Sequence, residues 1–290
     1  MNEESQNSIC ELPIGIFDSG VGGLTVYRAL HNRLPNEKFI YLGDTARVPY
    51  GTKSLGTVER YAIENSQFLA SRGIKLLVVA CNTASALALP AIRESIGIDV
   101  IGVIGPGARK AVSMTRDLAN KRIAVIATEA TVLSKAYPDS ILKAAGAEPE
   151  VLQSACPLFV PLAEEGWTGE SETHSIAAKY LKNIKAFDPS VLVLGCTHYP
   201  ILRNVIQETV GENVRLIDSG EAAAEEVAEL LRQQLLGNTE QISYNRERRL
   251  CDDLDHFFVT DAAERFASVA ERFLGLKPSR LEAIELTGQS

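Results

Sequence analysis

The sequence has few of the features that mark membrane, secreted or nucleic-acid-binding proteins. It carries 29 basic against 37 acidic residues, a formal net charge of −8, so it lacks the basic surface that usually holds nucleic acid or anionic lipid. Its longest uncharged stretch, residues 76–92, includes Asn82, Thr83 and Pro90, which indicates strand, turn and helix rather than a membrane span. The opening residues, MNEESQNSIC, lack the basic and apolar regions of a signal peptide. We therefore expect a cytoplasmic protein that binds neither nucleic acid nor membrane.

Cysteine is scarce and lacks the spacing of a metal or redox motif. The five cysteines, at positions 10, 81, 156, 196 and 251, form no C-x-x-C pair, which disfavours a zinc site or a thioredoxin-like dithiol. An odd number of cysteines without an export signal also disfavours a disulfide framework. We therefore expect free thiols and no bound metal.

Nucleotide-binding motifs are missing as well. The glycines of the segment DSGVGG (residues 18–23) do not follow the G-x-G-x-x-G spacing, and no G-x-x-x-x-G-K-[ST] occurs. The segment is better interpreted as a turn whose backbone amides can approach a small ligand closely.

The sequence does contain a regular alternation of short apolar runs with longer helical stretches, in a chain that is 46% hydrophobic. This alternation predicts βαβ units and parallel sheets. Predicted strands cover residues 14–17, 39–42, 76–80, 100–103, 123–126, 191–194 and 214–217. Predicted helices cover residues 22–34, 55–71, 83–95, 107–119, 131–144, 171–185, 199–210 and 220–235. Because right-handed crossovers bring the strand-to-helix turns to one sheet edge, ligands are expected there.

Two short segments recur, which suggests a pair of similar lobes. IFDSG (residues 16–20) is similar to LIDSG (residues 216–220), and VACNT (residues 79–83) is similar to LGCTH (residues 194–198). The predicted fold class is α/β, with two similar lobes, each a mainly parallel sheet flanked by helices, and the active site in the cleft between them. The first lobe is expected to comprise residues 1–105 and 217–290 and the second residues 106–216. Gly105-Pro106-Gly107 is the expected hinge.

Two cysteines occupy matching positions where a predicted strand meets a helix. Cys81 follows the apolar run 76–80, and Cys196 follows the run 191–195. A helix N-terminus lowers the pKa of a nearby thiol from about 8.5 and offers amides to a carboxylate. His198 and Asp18 are candidate proton partners of Cys196 and Cys81. Each residue also has a structural alternative: a small buried thiol, a helix-start histidine, and an Asx turn. Cys10, Cys156 and Cys251 lack this context and are expected to be structural.

The longer motifs around these residues resemble those of glutamate racemases, in the cofactor-independent aspartate/glutamate racemase family. They are IFDSGVGGLTV (16–26), YLGDTARVPYGTKS (41–54), VVACNTASA (78–86), CPLFVPLAEEG (156–166) and VLGCTHYP (193–200). The resemblance extends over residues 14–274. It departs from the family at residues 258–262, FVTDA, where a turn similar to Thr-Gly-Asp is common.

The resemblance implies a two-lobed enzyme that interconverts L- and D-glutamate without cofactor or metal. Cys81 would act on the D face of the substrate and Cys196 on the L face, supported by Asp18 and His198 respectively. The implied substrate-binding residues are Asp18, Ser19, Pro49, Tyr50, Gly51, Asn82, Thr83, Thr128, Glu164, Thr197 and His198. The adjacent Glu165 stays open as the alternative to Glu164. The family's usual role is to supply D-glutamate for peptidoglycan, and its members are commonly dimers. Activation by a cell-wall precursor cannot be read from the sequence.

The chemistry itself calls for two such groups. Inverting a carbon centre by proton exchange needs one group to remove the hydrogen and another, on the opposite face, to return a proton, and two thiols can do both. Three other functions stay open: a racemase for aspartate or another acidic amino acid, a regulatory protein that binds a small ligand without catalysis, and a redox thiol protein. Loss of the α-proton of L-glutamate in D2O would separate a racemase from the last two.

Overall fold

The chain forms two parallel sheets, seen in a computed structural model that describes residues 9–146, 149–237 and 248–286. The first sheet has the order β10-β9-β2-β1-β3-β4 and the second the order β6-β5-β7-β8, and neighbouring strands are parallel throughout. The strands are β1 (Ile14–Asp18), β2 (Phe39–Gly43), β3 (Leu76–Val79), β4 (Asp99–Gly102), β5 (Ile123–Ala127), β6 (Val151–Ala155), β7 (Val191–Gly195), β8 (Arg215–Asp218), β9 (His256–Val259) and β10 (Leu281–Ala283).

Helices cover the sheets and connect their strands. They are α1 (Leu24–Arg33), α2 (Leu55–Ser71), α3 (Asn82–Leu87), α4 (Leu89–Ser95), α5 (Ile104–Thr115), α6 (Glu129–Leu133), α7 (Ala136–Ala145), α8 (Phe159–Glu165), α9 (Ser171–Tyr180), α10 (Lys182–Phe187), α11 (Arg203–Val210), α12 (Ser219–Gln234) and α13 (Ala263–Leu274). Short 3₁₀ turns occupy Thr45–Arg47, Tyr50–Thr52 and Tyr199–Leu202. Within the described ranges no helix has both the length and the apolar character needed to cross a membrane.

The core explains why these segments are strands. Every residue of β1, β3, β5 and β7 is buried, as expected for parallel strands with helices on both faces. Helix α12 packs against α1 and against α5, so it joins the helical layers of the two sheets. The predicted fold class, an α/β protein with two mainly parallel sheets, is confirmed.

The structure changes several sequence-based boundaries. Gly105-Pro106-Gly107 is not a hinge loop, because it lies in the first turn of α5, where a proline costs no helical hydrogen bond. The predicted helices 83–95, 131–144 and 171–185 are each divided in two, and at Lys135 the cause is a left-handed residue with φ 59°. Strands β6, β9 and β10 and helices α8 and α13 were not predicted.

The chain leaves the first sheet after β4 and returns to it at β9, after the four strands of the second sheet. The second DSG segment, Asp218-Ser219-Gly220, joins the last residue of β8, in the second sheet, to the start of α12. The lobe boundaries at residues 105/106 and 216/217 stay predictions.

Candidate active site

One cavity of about 80 Å³ lies where turns from the two sheets meet. That volume accommodates several water molecules or one small molecule. Every sequence-predicted site residue lines it except Asp18, and the remaining lining residues are Gly20, Val21, Val48 and Val160. These four apolar or small residues lie inside the motifs quoted above, but nothing in their spacing distinguishes them from ordinary core residues.

Cys81 stands at the junction of β3 and α3. Its Sγ accepts a hydrogen bond from Ala84 N at 3.4 Å, so the thiol caps the helix, and the residue is 5% exposed. The sequence predicts a lowered pKa at such a position, and this prediction is wrong for Cys81. Burial, helped by the nearby negative charge of Asp18, outweighs the helix amide and raises the pKa of Cys81 to about 12. Cys81 is therefore a protonated thiol near neutral pH.

Asp18 ends β1 beside this thiol, behind the cavity wall. It is fully buried, and its Oδ2 accepts a hydrogen bond from Gly20 N at 2.9 Å. The carboxylate thus makes the Asx-type turn considered as its structural alternative while also acting electrostatically on Cys81. Burial raises the pKa of Asp18, whereas backbone amides and the charge of His198 act in the opposite direction.

Cys196 has a different environment, formed by an imidazole and a second carboxylate. Its Sγ lies 3.9 Å from His198 Nδ1, and His198 Nε2 lies 3.1 Å from Glu164 Oε1. Burial lowers the pKa of His198, but the contacts with Cys196 and Glu164 outweigh it and raise the pKa to about 10. The hydrogen bond from His198 in turn lowers the pKa of Glu164. The ring is therefore an imidazolium at neutral pH, which stabilises negative charge on a neighbouring sulfur.

The geometry also bears on two alternatives that the sequence leaves open: a capping role for His198, and Glu165 in place of Glu164. Although His198 precedes the 3₁₀ turn Tyr199–Leu202, its side chain makes no capping hydrogen bond there. Glu164 reaches the cavity and the histidine, whereas its neighbour Glu165 is exposed. Arg265 lies 3.5 Å from the other oxygen of Glu164, so α13, a helix not predicted from the sequence, helps to hold this carboxylate.

Polar groups from both lobes occupy the rest of the cavity wall. Thr83 Oγ1 and Thr128 Oγ1 are 3.0 Å apart and bring the two sides together. The Tyr50 hydroxyl donates to the buried Asp44, so Tyr50 lines the cavity with its ring. Thr25 Oγ1 donates to Thr197 O at 2.8 Å and ties α1 to the turn of Cys196.

The other cysteines lie outside this cavity. All five cysteines are free, and burial raises the pKa of both Cys156 and Cys251 to about 12. Two of the five thiols, Cys81 and Cys196, thus share one cavity, and each has its own ionisable neighbour. The cavity therefore brings two thiols to one small volume.

Comparison with known proteins gives a consistent result. Residues 14–227 match the model of the family described as Asp/Glu/Hydantoin racemase. A glutamate racemase of Geobacter metallireducens is 50% identical over 278 residues, which cover 95% of this chain and 97% of that protein. The crystal structure of glutamate racemase from Francisella tularensis in complex with D-glutamate superposes with a TM-score of 0.83 at 39% identity, covering 96% of this chain and 98% of that one. The Escherichia coli glutamate racemase, solved with L-glutamate and the activator UDP-MurNAc-Ala, has a TM-score of 0.74 at 30% identity, covering 96% and 100%.

Proposed function

Because the chain belongs to the Asp/Glu/hydantoin racemase family and is an amino-acid racemase, we propose that it interconverts L- and D-glutamate through Cys81 and Cys196. The choice of glutamate rests on the similarity to glutamate racemases over nearly the whole chain. The two-thiol scheme rests on one observation: thiols that follow strands of two different sheets line the same cavity.

In the L-to-D direction, Cys196 as thiolate removes the α-hydrogen as a proton, and the electron pair stays on Cα. Cys81 as thiol then delivers a proton to the opposite face and becomes the thiolate. The proton count is balanced, no other bond breaks, and the D-to-L reaction runs the same steps in reverse. The high pKa of Cys81 favours the thiol form from which this direction starts.

The ionisable neighbours complete the exchange. His198, held by Glu164, stabilises negative charge on Cys196 and can pass a proton to or from it. Asp18 is the proton partner of Cys81. Negative charge that develops on the substrate next to its α-carboxylate needs preorganised donors. The amides and hydroxyls of the turns at residues 18–20, 81–83 and 196–198 can supply them. Small size and burial of the cavity strengthen these contacts, because they keep water out.

We further infer the biological setting from the relatives. The enzyme would supply D-glutamate for peptidoglycan in the cytoplasm and so contribute to cell-wall formation and cell shape. The activator bound to the Escherichia coli relative makes a cell-wall precursor a candidate regulator here, and a homodimer is the proposed assembly. A racemase for aspartate is the alternative within the family, and substrate profiling decides between them.

The experiment that tests the activity is proton NMR of L-glutamate with the enzyme in D2O. A racemase washes out the α-proton and forms the D enantiomer, whereas a protein that only binds glutamate leaves the α-proton in place. Unchanged substrate would refute the proposal.

The thiols are tested by replacing them singly. Cys81→Ala and Cys196→Ala should each abolish racemisation in both directions, measured by circular dichroism of glutamate. Cys156→Ala is the matched control, since it removes an equally buried thiol outside the cavity and should leave the rate unchanged. Substantial turnover by either cavity variant would contradict the two-thiol scheme.

A further inference from the structure

A chain of hydrogen bonds joins the two cysteine turns behind the cavity. Tyr137 Oη lies 2.7 Å from Asn82 Oδ1, Asn82 Nδ2 lies 3.4 Å from Ser219 Oγ, and Ser219 Oγ lies 3.2 Å from Leu194 O. The four residues belong to α7, α3, α12 and β7, and all are buried. Among these four, only Asn82 lines the cavity. The chain therefore connects a cavity residue to groups that no ligand in the cavity touches.

The Leu194 carbonyl fixes the direction of the hydrogen bonds that Ser219 and Asn82 make with each other and with the backbone. The carbonyl of Leu194 can only accept, so the Ser219 hydroxyl donates its single hydrogen there and accepts from Asn82. The nitrogen of the Asn82 amide thus faces Ser219, and its oxygen faces Tyr137. Burial holds the pKa of Tyr137 well above its ordinary value, so the phenol keeps the hydrogen that it donates to Asn82.

Packing holds the Tyr137 ring in place. The ring is fully buried, and a Cβ added at Gly195 would lie 2.8 Å from its Cε2 atom. Gly195, which immediately precedes Cys196, is thus needed for the Tyr137 ring to reach Asn82, the residue that follows Cys81. The hydrogen bond between Tyr137 and Asn82 therefore joins α7, beside the second sheet, to the turn that follows β3 in the first sheet.

We propose that Tyr137 is a positioning residue that holds the Asn82 amide with its N–H side towards a carboxylate of the substrate. This inference rests on the proposed function, in which Asn82 contacts glutamate. With its oxygen bonded to Tyr137 and one N–H bonded to Ser219, the amide has a second N–H to offer to the cavity. Without the phenol hydroxyl the amide can turn over and present its oxygen, which repels a carboxylate.

Tyr137→Phe tests the role, because it keeps the ring and removes only the hydroxyl. We expect the KM for glutamate to rise roughly tenfold, the effect of weakening one hydrogen bond to a charged group, with a smaller change in kcat. In an Asn82→Ala background the same substitution should leave KM unchanged. Tyr27→Phe is the control: that hydroxyl is equally buried and donates to Asp255 at 2.7 Å, so its loss should lower Tm without changing KM.

A second measurement does not depend on catalysis. In protein labelled with ¹⁵N-asparagine, the side-chain NH2 signals of Asn82, assigned by their loss in Asn82→Ala, should shift and exchange faster with solvent in Tyr137→Phe. Ser219→Ala removes the neighbouring partner and should act in the same direction, which covers the case that Tyr137→Phe does not fold. Inactive wild-type protein would refute the proposed function, and the NMR comparison would still decide on Tyr137. Unchanged NH2 signals, an unchanged KM, or an equal KM rise in both backgrounds would overturn the positioning role.

Discussion

Replacing Gly22 by alanine should disable the enzyme by displacing the side chains of Thr197 and His198, which follow Cys196. A Cβ at Gly22 would lie 2.2 Å from Thr197 Oγ1 and 2.5 Å from His198 Nδ1. Ordinary contact begins at 3.4 Å, so the side chains of Thr197 and His198 must shift by about 1 Å, and they cannot do so freely because the interior around them is tightly packed. A misplacement of this size costs on the order of 100-fold in rate, and overpacking costs about 1–3 kcal/mol of stability.

The assay combines kcat for glutamate racemisation in both directions with the free energy of unfolding. We expect kcat to fall on the order of 100-fold while the protein stays folded. Gly56→Ala is the matched control, because its Cβ would meet nothing within 4 Å and the residue lies in α2. Alanine favours helix, so this variant should be as active as wild type and as stable or slightly more so. Wild-type kcat in Gly22→Ala would refute the reasoning that the two lobes meet closely at this glycine.

Two further predictions concern stability. The pKa of His198 is raised from 6.5 to about 10 in the folded protein. The contribution of His198 to stability is therefore complete below about pH 6.5 and is lost as pH rises to about 10. His198→Gln should flatten the pH dependence of Tm in this range, and an unchanged slope would contradict the raised pKa of His198. Lys75→Met should destabilise the fold by about 3–5 kcal/mol, because Lys75 Nζ lies 2.6 Å from Glu37 Oε2 and both side chains are buried. Lys110→Met breaks a half-exposed pair with Glu225 and should cost less than about 1 kcal/mol. Denaturant titration measures the free energy of unfolding of both variants. Equal losses of stability in the two variants would show that burial of the Lys75–Glu37 pair does not matter.

The sheet strands were predictable where both faces of a strand are buried. In β1, β3, β5 and β7 every position except Asp18, at the end of β1, is apolar or small, and such runs stand out in the sequence. Strand β6 is half-buried and includes Gln153 and Ser154, β9 begins with His256, and β10 has only three residues. These strands form because a neighbouring strand offers hydrogen-bond partners to their backbone, and no local sequence pattern indicates such a neighbour.

The site residues could be named from the sequence because the motifs around them are long and specific. The pKa shifts of these residues, in contrast, could not be predicted from the sequence. The local position of Cys81 at a helix start predicts a lowered pKa, yet burial against Asp18 produces the opposite shift. Likewise, the contact between His198 and Glu164 joins residues 34 positions apart, and spacing alone cannot assign it.

Local order along the chain thus specified seven of the ten strands in the described part of the chain, the turns that follow them and the two cysteines at those turns, because backbone propensity and hydrophobic periodicity depend on near neighbours. Tertiary packing decided which groups surround each thiol, how deeply each is buried, and which way the Asn82 amide faces. Charge and hydrogen-bond direction depend on atoms brought together from distant segments, and Tyr137, 55 residues from Asn82, is the clearest example.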